Sequence, residues 1–193
     1  ASMVACPGCY PTAALLALVP LVKAGLVDTS CGLIIDAKSG ISGAGRTASD
    51  RTHFSENHGS MAAYGVMGHR HVAEMEQELG SEVTFVPHLV PLDRGILETI
   101  YVKTRPGTTN EAIGEALARA YKDEPFVRLT EEALPEIKHV AGTNFCDIGW
   151  VFDAASRRLI MVACLDNLVK GAAGQAVQNF NVMCGFDERM GLR

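Results

Sequence analysis

The chain has 193 residues, 48% of them hydrophobic and 20% charged, with a formal net charge of −5. This balance predicts a folded globular domain and argues against a disordered chain. The negative charge without a basic patch disfavours nucleic acid as a partner, and no apolar run is long enough to predict a membrane span.

The first half of the chain predicts two helices with a strand and loops between them. Residues 12–24 are apolar almost all round, which predicts a buried helix, bent or shortened near Pro20. The elements that follow are a strand over 31–37, a glycine-rich loop over 39–46, a long polar loop over 47–63 and a helix over 69–79.

The second half predicts short strands between helices. In order, these elements are strands over 82–87 and 96–103, a helix over 109–121, strands over 127–129, 138–141, 145–152 and 159–165, and a helix over 170–182. Hairpin-like separations between the strands are typical of antiparallel pairing. We therefore predict an α+β fold, with a mixed, largely antiparallel sheet covered by helices, in one domain over 1–193.

Six cysteines are spread along the chain, and a chain with this apolar content does not need disulfides as staples. Cys6 and Cys9 form a C-P-G-C motif, but zinc would need a second ligand pair, and none has matching spacing. We therefore predict no metal site. Because no secretory signal is visible, we expect the reducing cytoplasm.

Cys9 lies at a position that favours a nucleophile. Pro7 and Gly8 predict a tight turn before it, and Pro11 favours a helix start just after it. Unpaired N–H groups and the positive end of a helix dipole stabilise a thiolate, so we expect the pKa of Cys9 to be lowered. The alternative is a buried structural cysteine.

A thiolate nucleophile requires an acid or base, and the segment GHRH offers two histidines at a helix start. Glu74 lies three residues after His71, so it can hold that ring by a hydrogen bond and raise its pKa. His69 has Val72 and Ala73 at the corresponding positions. We therefore predict Cys9, His71 and Glu74 as catalytic residues, although a solvated helix-start histidine remains the alternative.

Several residues are candidates for binding an anionic substrate. The segment SGISGAGR offers backbone N–H groups and a guanidinium. It matches neither the Walker phosphate-loop sequence nor the dinucleotide-binding pattern G-x-G-x-x-G. Arg46, at the end of this segment, and Arg94 are the two candidate arginines, and a surface ion pair would explain either of them equally well. The predicted substrate-binding residues are Ser42, Gly43, Arg46, His69, Arg70 and Arg94.

The segment KGAAGQ opens the last predicted helix with small residues. Small side chains allow another backbone or a flat ligand to approach closely. The predicted cofactor-binding residues are Gly171, Ala172, Gly174 and Gln175.

Six segments, in order, resemble those of N-acetyl-γ-glutamyl-phosphate reductases of arginine biosynthesis. They are PGCYPTA, DAKSGISGAGR, GHRH followed by Glu74, PHLVPLDRGIL, NFCDIG and DNLVKGAAGQAVQN, and they extend from Cys6 to Gly185. The resemblance implies a catalytic domain similar to those of aspartate-semialdehyde and glyceraldehyde-phosphate dehydrogenases. It places Cys9 on the nucleophile and implies NADP as the cofactor and an acyl phosphate as the substrate.

Enzymes of this family begin with a nucleotide-binding Rossmann domain, whereas this chain begins just before the nucleophile. The resemblance therefore implies that 1–193 is the catalytic and oligomerisation half, without the N-terminal NADP-binding domain, and that it forms a homo-oligomer, a dimer or a tetramer. Two alternatives stay open: a sister reductase of aminoadipyl or aspartyl phosphate, and a non-catalytic dimerisation module.

Overall fold

The computed structural model describes residues 1–130 and 133–193. Its helices are α1 (Cys9–Lys23), α2 (Phe54–Asn57), α3 (His71–Leu79), α4 (Asn110–Tyr121) and α5 (Gly174–Cys184). Its strands are β1 (Leu33–Gly40), β2 (Ala62–Ala63), β3 (Val83–Val90), β4 (Ile96–Lys103), β5 (Val127–Leu129), β6 (Cys146–Asp153) and β7 (Arg158–Leu165). A π-helical turn over Val169–Ala173 leads into α5.

The strands form one sheet of seven in the order β2-β3-β1-β4-β7-β6-β5. The pairs β1–β3 and β5–β6 are parallel, and the other four pairs are antiparallel. The predicted α+β fold with a mixed, largely antiparallel sheet is confirmed.

The main hydrophobic core lies between one face of the sheet and helices α1, α3 and α4. Helix α1 crosses the middle of this face and presents three fully buried alanines, Ala13, Ala14 and Ala17. Their small side chains allow the start of the helix to lie close to β4 and β7. Leu18 and Leu21 follow, and burying each of these side chains contributes about 2 kcal/mol.

Helix α1 continues through Pro20 to Lys23, so the predicted shortening is wrong, while the predicted bend stays a prediction. Proline has no N–H to donate, which leaves the carbonyl of Leu16 without its helical partner. The hydroxyl of Tyr121 on α4 donates a hydrogen bond to that carbonyl. A contact from a distant helix therefore compensates for the missing bond.

Two further predictions differ from the structure. The polar segment 47–63 contains a helical turn at Asp50–Thr52, helix α2 and strand β2, rather than a structureless loop. Segment 138–141 is not a strand, because a helical turn covers Ile137–His139. Val140 is buried there against the second face of the sheet, which explains the apolar pattern without strand pairing.

Among the described residues, no helix has the length and apolar character needed to cross a membrane.

Candidate active site

Cys9 is the first residue of α1, as its sequence context predicted. Gly8 before it is extended, with φ −67° and ψ 166°, and its carbonyl accepts hydrogen bonds from both the N–H and the hydroxyl of Thr12. The start of the helix is therefore fixed by backbone and side-chain bonds, and Cys9 is held half-buried beside it.

The protonation state predicted for Cys9 is wrong for this structure. Burial raises the pKa of the thiol to about 11, and this outweighs the N–H groups of Tyr10 and Cys9 and the charge of Arg70, which lower it. Cys9 is therefore a thiol at neutral pH, and it needs a base to become a nucleophile.

His71 lies directly against the residue before the cysteine. A side chain on Gly8 would place its Cβ 2.6 Å from Cε1 and 2.7 Å from Cδ2 of the His71 ring. Glycine at this position thus allows the imidazole to approach the start of α1. The ring is buried, and its Nδ1 has no hydrogen-bond partner among the described residues.

The predicted hydrogen bond from Glu74 to His71 is absent. Glu74 Oε1 lies 3.9 Å from His71 Nε2, too far for a hydrogen bond, while Oε2 accepts a bond of 2.8 Å from the N–H of Gly8. Glu74 therefore ties α3 to the start of α1. The carboxylate still faces the imidazole and can stabilise a charge on it.

The predicted rise in the pKa of His71 is also wrong. Burial and the neighbouring His69 lower it to about 4, and Glu74 only partly opposes them. His71 is therefore neutral at pH 7 and able to accept a proton.

His69 and His71 belong to a cluster of aromatic rings. The two imidazole centroids lie 4.7 Å apart, and the ring of Tyr10 contacts both edge-on. The hydroxyls of Tyr10 and Tyr64 are 3.0 Å apart. The N–H of His71 donates to Nδ1 of His69, so a neutral His69 carries its proton on Nε2.

Arg70 lies near this cluster, and three other candidate anion ligands, Ser42, Gly43 and Arg46, lie on the segment after β1. Arg70 is exposed, and its charge lowers the pKa of Cys9, His69 and His71. Ser42 accepts a bond of 3.0 Å from Asn167, Gly43 packs on Ser39, and Arg46 is exposed. Their role in binding substrate stays a prediction.

Arg94 forms an ion pair in this structure, and its use as an anion anchor stays a prediction. Its Nη1 lies 3.2 Å from Oδ2 of Asp166, a fully buried carboxylate. The other donors to Asp166 are backbone N–H groups of Gly142, Leu168 and Val169. The ion-pair alternative weighed for this arginine is therefore the observed one, with a buried partner.

Two glycines after Asp166, Gly171 and Gly174, are buried. A side chain on Gly171 would place its Cβ 2.7 Å from Cβ of Cys9, so the glycine allows this segment to pack on the nucleophile candidate. Gly174 packs in the same way on Asn144. The side-chain amide of Gln175 donates a hydrogen bond of 2.8 Å to the hydroxyl of Thr12. Of the four predicted cofactor residues only Ala172 is exposed.

Five residues of the site and its surroundings were not among the predicted site residues: Tyr10, Tyr64, Glu98, Asp166 and Asn167. For Glu98 a signal was present, because the alternation of β4 places it among Ile96, Ile100 and Val102 on the buried face. The partners of the others lie far along the chain, and no local pattern reveals them.

A family model described as "Semialdehyde dehydrogenase, dimerisation domain" matches residues 9–167. The N-acetyl-gamma-glutamyl-phosphate reductase of Desulforapulum autotrophicum is 52% identical over 99% of this chain and 57% of its own length. That of Pelotomaculum thermopropionicum is 53% identical over 98% of this chain and 56% of its own length. The chain thus spans a little over half the length of these curated relatives.

Solved structures show the same fold. Aspartate semialdehyde dehydrogenase II from Vibrio cholerae superposes with a TM-score of 0.74 at 19% identity, over 93% of this chain and 61% of that chain. A probable aspartate-semialdehyde dehydrogenase from Pseudomonas aeruginosa superposes with a TM-score of 0.72 at 18% identity, over 92% of this chain and 61% of that chain. The predicted resemblance is confirmed, and the chain belongs to the semialdehyde dehydrogenase dimerisation-domain family.

Proposed function

We propose that this chain is the catalytic half of an N-acetyl-γ-glutamyl-phosphate reductase, which reduces N-acetyl-γ-glutamyl phosphate to N-acetylglutamate 5-semialdehyde with NADPH. The observation that carries the proposal is that a neutral, buried His71 packs on Gly8, the residue directly before Cys9 at the start of α1. Identity of about one half to reductases of that name supports the substrate.

The first step is attack on the acyl phosphate. His71 Nε2 accepts the thiol proton of Cys9 as the sulfur bonds to the carbonyl carbon. The bond from that carbon to the phosphate oxygen breaks, and phosphate leaves with the electron pair, which produces a thioester on Cys9. The N–H groups at the start of α1 stabilise the negative charge that develops on sulfur.

Glu74 stabilises the protonated state of His71. Its Oε1 lies 3.9 Å from Nε2, close enough for a charge–charge interaction in a partly buried site. When the aldehyde is released, the carbon–sulfur bond breaks and His71 returns its proton to the sulfur. Glu74 is thus a positioning residue, which acts through His71 and through the N–H of Gly8.

The surface beside Cys9 fits a flat cofactor ring. Gly171 contacts Cys9, and the exposed Ala172 and Ala173 follow it with side chains no larger than a methyl group. We infer that Ala172 borders the nicotinamide of NADPH, which would supply the hydride for reducing the acyl group. Gly171, Gly174 and Gln175 support that surface from below.

The charged part of the substrate requires cations. Arg70 and Arg46 are exposed and form no ion pair among the described residues, so they are the proposed ligands of the phosphate or the carboxylate. His69 Nε2–H, Ser42 and the backbone of Gly43 are the proposed neutral donors. Arg94 acts indirectly, by holding Asp166.

The chain is proposed to assemble as a homo-oligomer, a dimer or a tetramer. The face of the sheet opposite α1 carries exposed apolar side chains, among them Ile34, Tyr101 and Val151. Such a face is typical of an interface between subunits, and the matched family is a dimerisation domain. All six cysteines are free thiols, which fits the proposed reducing cytoplasm.

The test compares substrates on the full-length chain, by which we mean these 193 residues together with the proposed N-terminal NADP-binding domain. We expect reduction of N-acetyl-γ-glutamyl phosphate with NADPH, and kcat/KM at least about a hundredfold lower with aspartyl or aminoadipyl phosphate. A preference for either rival would assign the chain to a sister reductase. No reduction of any of the three would favour a non-catalytic dimerisation module.

A further inference from the structure

Strand β4 carries an acidic residue inside the main core. Glu98 is 0% exposed, and neither carboxyl oxygen has a hydrogen-bond partner among the described residues. Its neighbours across the sheet are Ala37 on β1 and Ala163 on β7, and both are small. No bulky side chain therefore flanks the carboxyl at the paired positions of the two neighbouring strands.

Burial alone raises the pKa of Glu98 well above its usual range, which favours the protonated, neutral carboxyl. Leaving a polar group without a partner in a core is costly, and an apolar residue would be more stable there. Costly buried groups of this kind are concentrated at functional sites.

Glu98 lies on β4, against which α1 packs, and a charge on its carboxyl would raise the pKa of the Cys9 thiol. The side chains of Cys9 and Leu165 both border Gly171, at 2.7 and 3.2 Å from the position a Cβ would take. Leu165 pairs with Ile96, which precedes Glu98 on the same face of β4. Leu165 and Glu98 are thus diagonal neighbours, about 7–8 Å apart.

The titratable groups facing this position carry no compensating charge. Cys9 projects from α1 and Cys146 from β6, and a charge on Glu98 would raise the pKa of both thiols. No cation among the described residues contributes to the pKa shift of Glu98. An ionised Glu98 would oppose the thiolate, whereas a protonated one can donate a hydrogen bond.

We propose that Glu98 is a positioning residue for Cys9, whose protonated carboxyl turns toward the sulfur and donates a hydrogen bond as negative charge develops there. The inference rests on the proposed role of Cys9 as the nucleophile. Helix N–H groups stabilise the sulfur from the α1 side, and Glu98 does so from the sheet side. A hydrogen bond to a charged acceptor is stronger than one between neutral groups.

The test measures alkylation of Cys9 by iodoacetamide against pH in the full-length chain, with peptide mapping by mass spectrometry. Glu98→Met keeps the length of the side chain and removes the donor, so we expect alkylation about tenfold slower at pH 8 and a profile displaced upward by about one pH unit. Glu98→Gln retains a donor and should stay within about threefold of the parent. The control Ile100→Met, on the same face and one pair farther away, should leave the profile unchanged.

Stability provides a second readout, which tests whether Glu98 is buried as a neutral acid. Unfolded Glu98 ionises above its ordinary pKa while the folded group stays neutral, so its presence lowers the stability of the fold increasingly as pH rises. Glu98→Met should therefore raise the melting temperature more at pH 8 than at pH 5, because the buried carboxyl lowers the stability of the parent less at pH 5.

Three outcomes would overturn the proposal. The first is that the pH profile of Cys9 alkylation in Glu98→Met equals that of the parent. The others are that the Glu98→Gln profile is displaced as far as the Glu98→Met profile, or that alkylation is faster in both variants. If Glu98→Met does not fold, the Gln profile alone decides, because a displacement beyond threefold contradicts the proposal and a parent-like rate supports it. Full reductase activity in Cys9→Ser would instead refute the proposed function and leave the alkylation result intact.

Discussion

Two buried polar clusters lie near the same end of β7, and they differ in whether their buried polar atoms are hydrogen-bonded. Around Asp166 and Asn167, carboxylate and amide oxygens are all paired: Asp166 binds Arg94 and three backbone N–H groups, and Asn167 accepts from the N–H of Gly95. Around Cys9, Nδ1 of His71 and both oxygens of Glu98 are buried and have no hydrogen-bond partner in the part of the chain that the structure describes.

The difference separates what holds the fold from what is available for chemistry. A fully paired buried carboxylate stabilises the segments that it joins, here the end of β7, the entry to β4 and the turn before β6. Unpaired buried groups lower stability and leave lone pairs and protons available for a reaction. Substitutions in the first cluster should therefore affect folding, and substitutions in the second should affect activity.

The largest effect is expected at Cys9. Cys9→Ser should lower reductase activity by more than about a thousandfold, because a hydroxyl at this position is a far weaker nucleophile. The melting temperature should stay close to that of the parent, since the two side chains are similar in size. Substantial turnover in this variant would remove the nucleophile from the account.

His71 should come next. His71→Asn should lower kcat about a hundredfold or more, the usual scale for losing a general base, with Glu74→Gln intermediate and His69→Asn smallest. Because the pKa of His71 is lowered to about 4, the acid limb of the parent pH–rate profile should lie well below the ordinary histidine value. A damaging His69→Asn with a nearly silent His71→Asn would reverse the two roles.

In the paired cluster, Asp166→Ala should lower the free energy of unfolding by about 3 kcal/mol, because it leaves Arg94 and three N–H groups without their acceptor. The control Asp123→Ala removes an exposed ion pair and should change stability by less than about 1 kcal/mol. Urea unfolding measures both. Equal losses would show that pairing around Asp166 contributes little.

Gly171 joins the two clusters. Gly171→Ala should lower kcat about tenfold or more, because the added Cβ would lie 2.7 Å from Cβ of Cys9 and displace the sulfur. The matched control is Gly114→Ala inside α4, where the new Cβ would meet only the Trp150 ring, at 3.5 Å or more. This control should keep full activity and gain about 0.5–1 kcal/mol of stability. Unchanged kinetics in Gly171→Ala would argue against close packing at the nucleophile.

The smallest effect concerns stability in acid. The pKa of His71 is lower in the folded chain than in the unfolded one, so the unfolded state binds the proton first. Stability present above the ordinary histidine value should be lost as pH falls towards about 4. His71→Asn should flatten this part of a melting-temperature profile, and an identical slope would contradict the buried, neutral imidazole.

Local patterns in the sequence predicted the elements and one part of the site. Alternation defined β4, and the proline and glycine context placed Cys9 at the start of α1. Spacing could not predict that Glu74 binds the N–H of Gly8 rather than the imidazole, because that choice depends on how α3 packs against α1. The same applies to Arg94 and Asp166, 72 positions apart.

The direction of the pKa shifts was the main error, for a physical reason. A helix start favours a thiolate, and a neighbouring carboxylate favours an imidazolium, but both arguments assume that water remains nearby. Burial of Cys9 and His71 outweighs both effects, and burial is a property of the folded chain. The corrected account pairs a neutral thiol with a neutral base.

The most direct test of the account is to trap the acyl group on the nucleophile. The full-length chain is mixed with N-acetyl-γ-glutamyl phosphate in the absence of NADPH, quenched in acid, and mapped by mass spectrometry. The account predicts one N-acetylglutamyl group in thioester linkage on the peptide that contains Cys9, formed much more slowly in His71→Asn. An acyl group on another residue, or phosphate release without any acylated peptide, would contradict it.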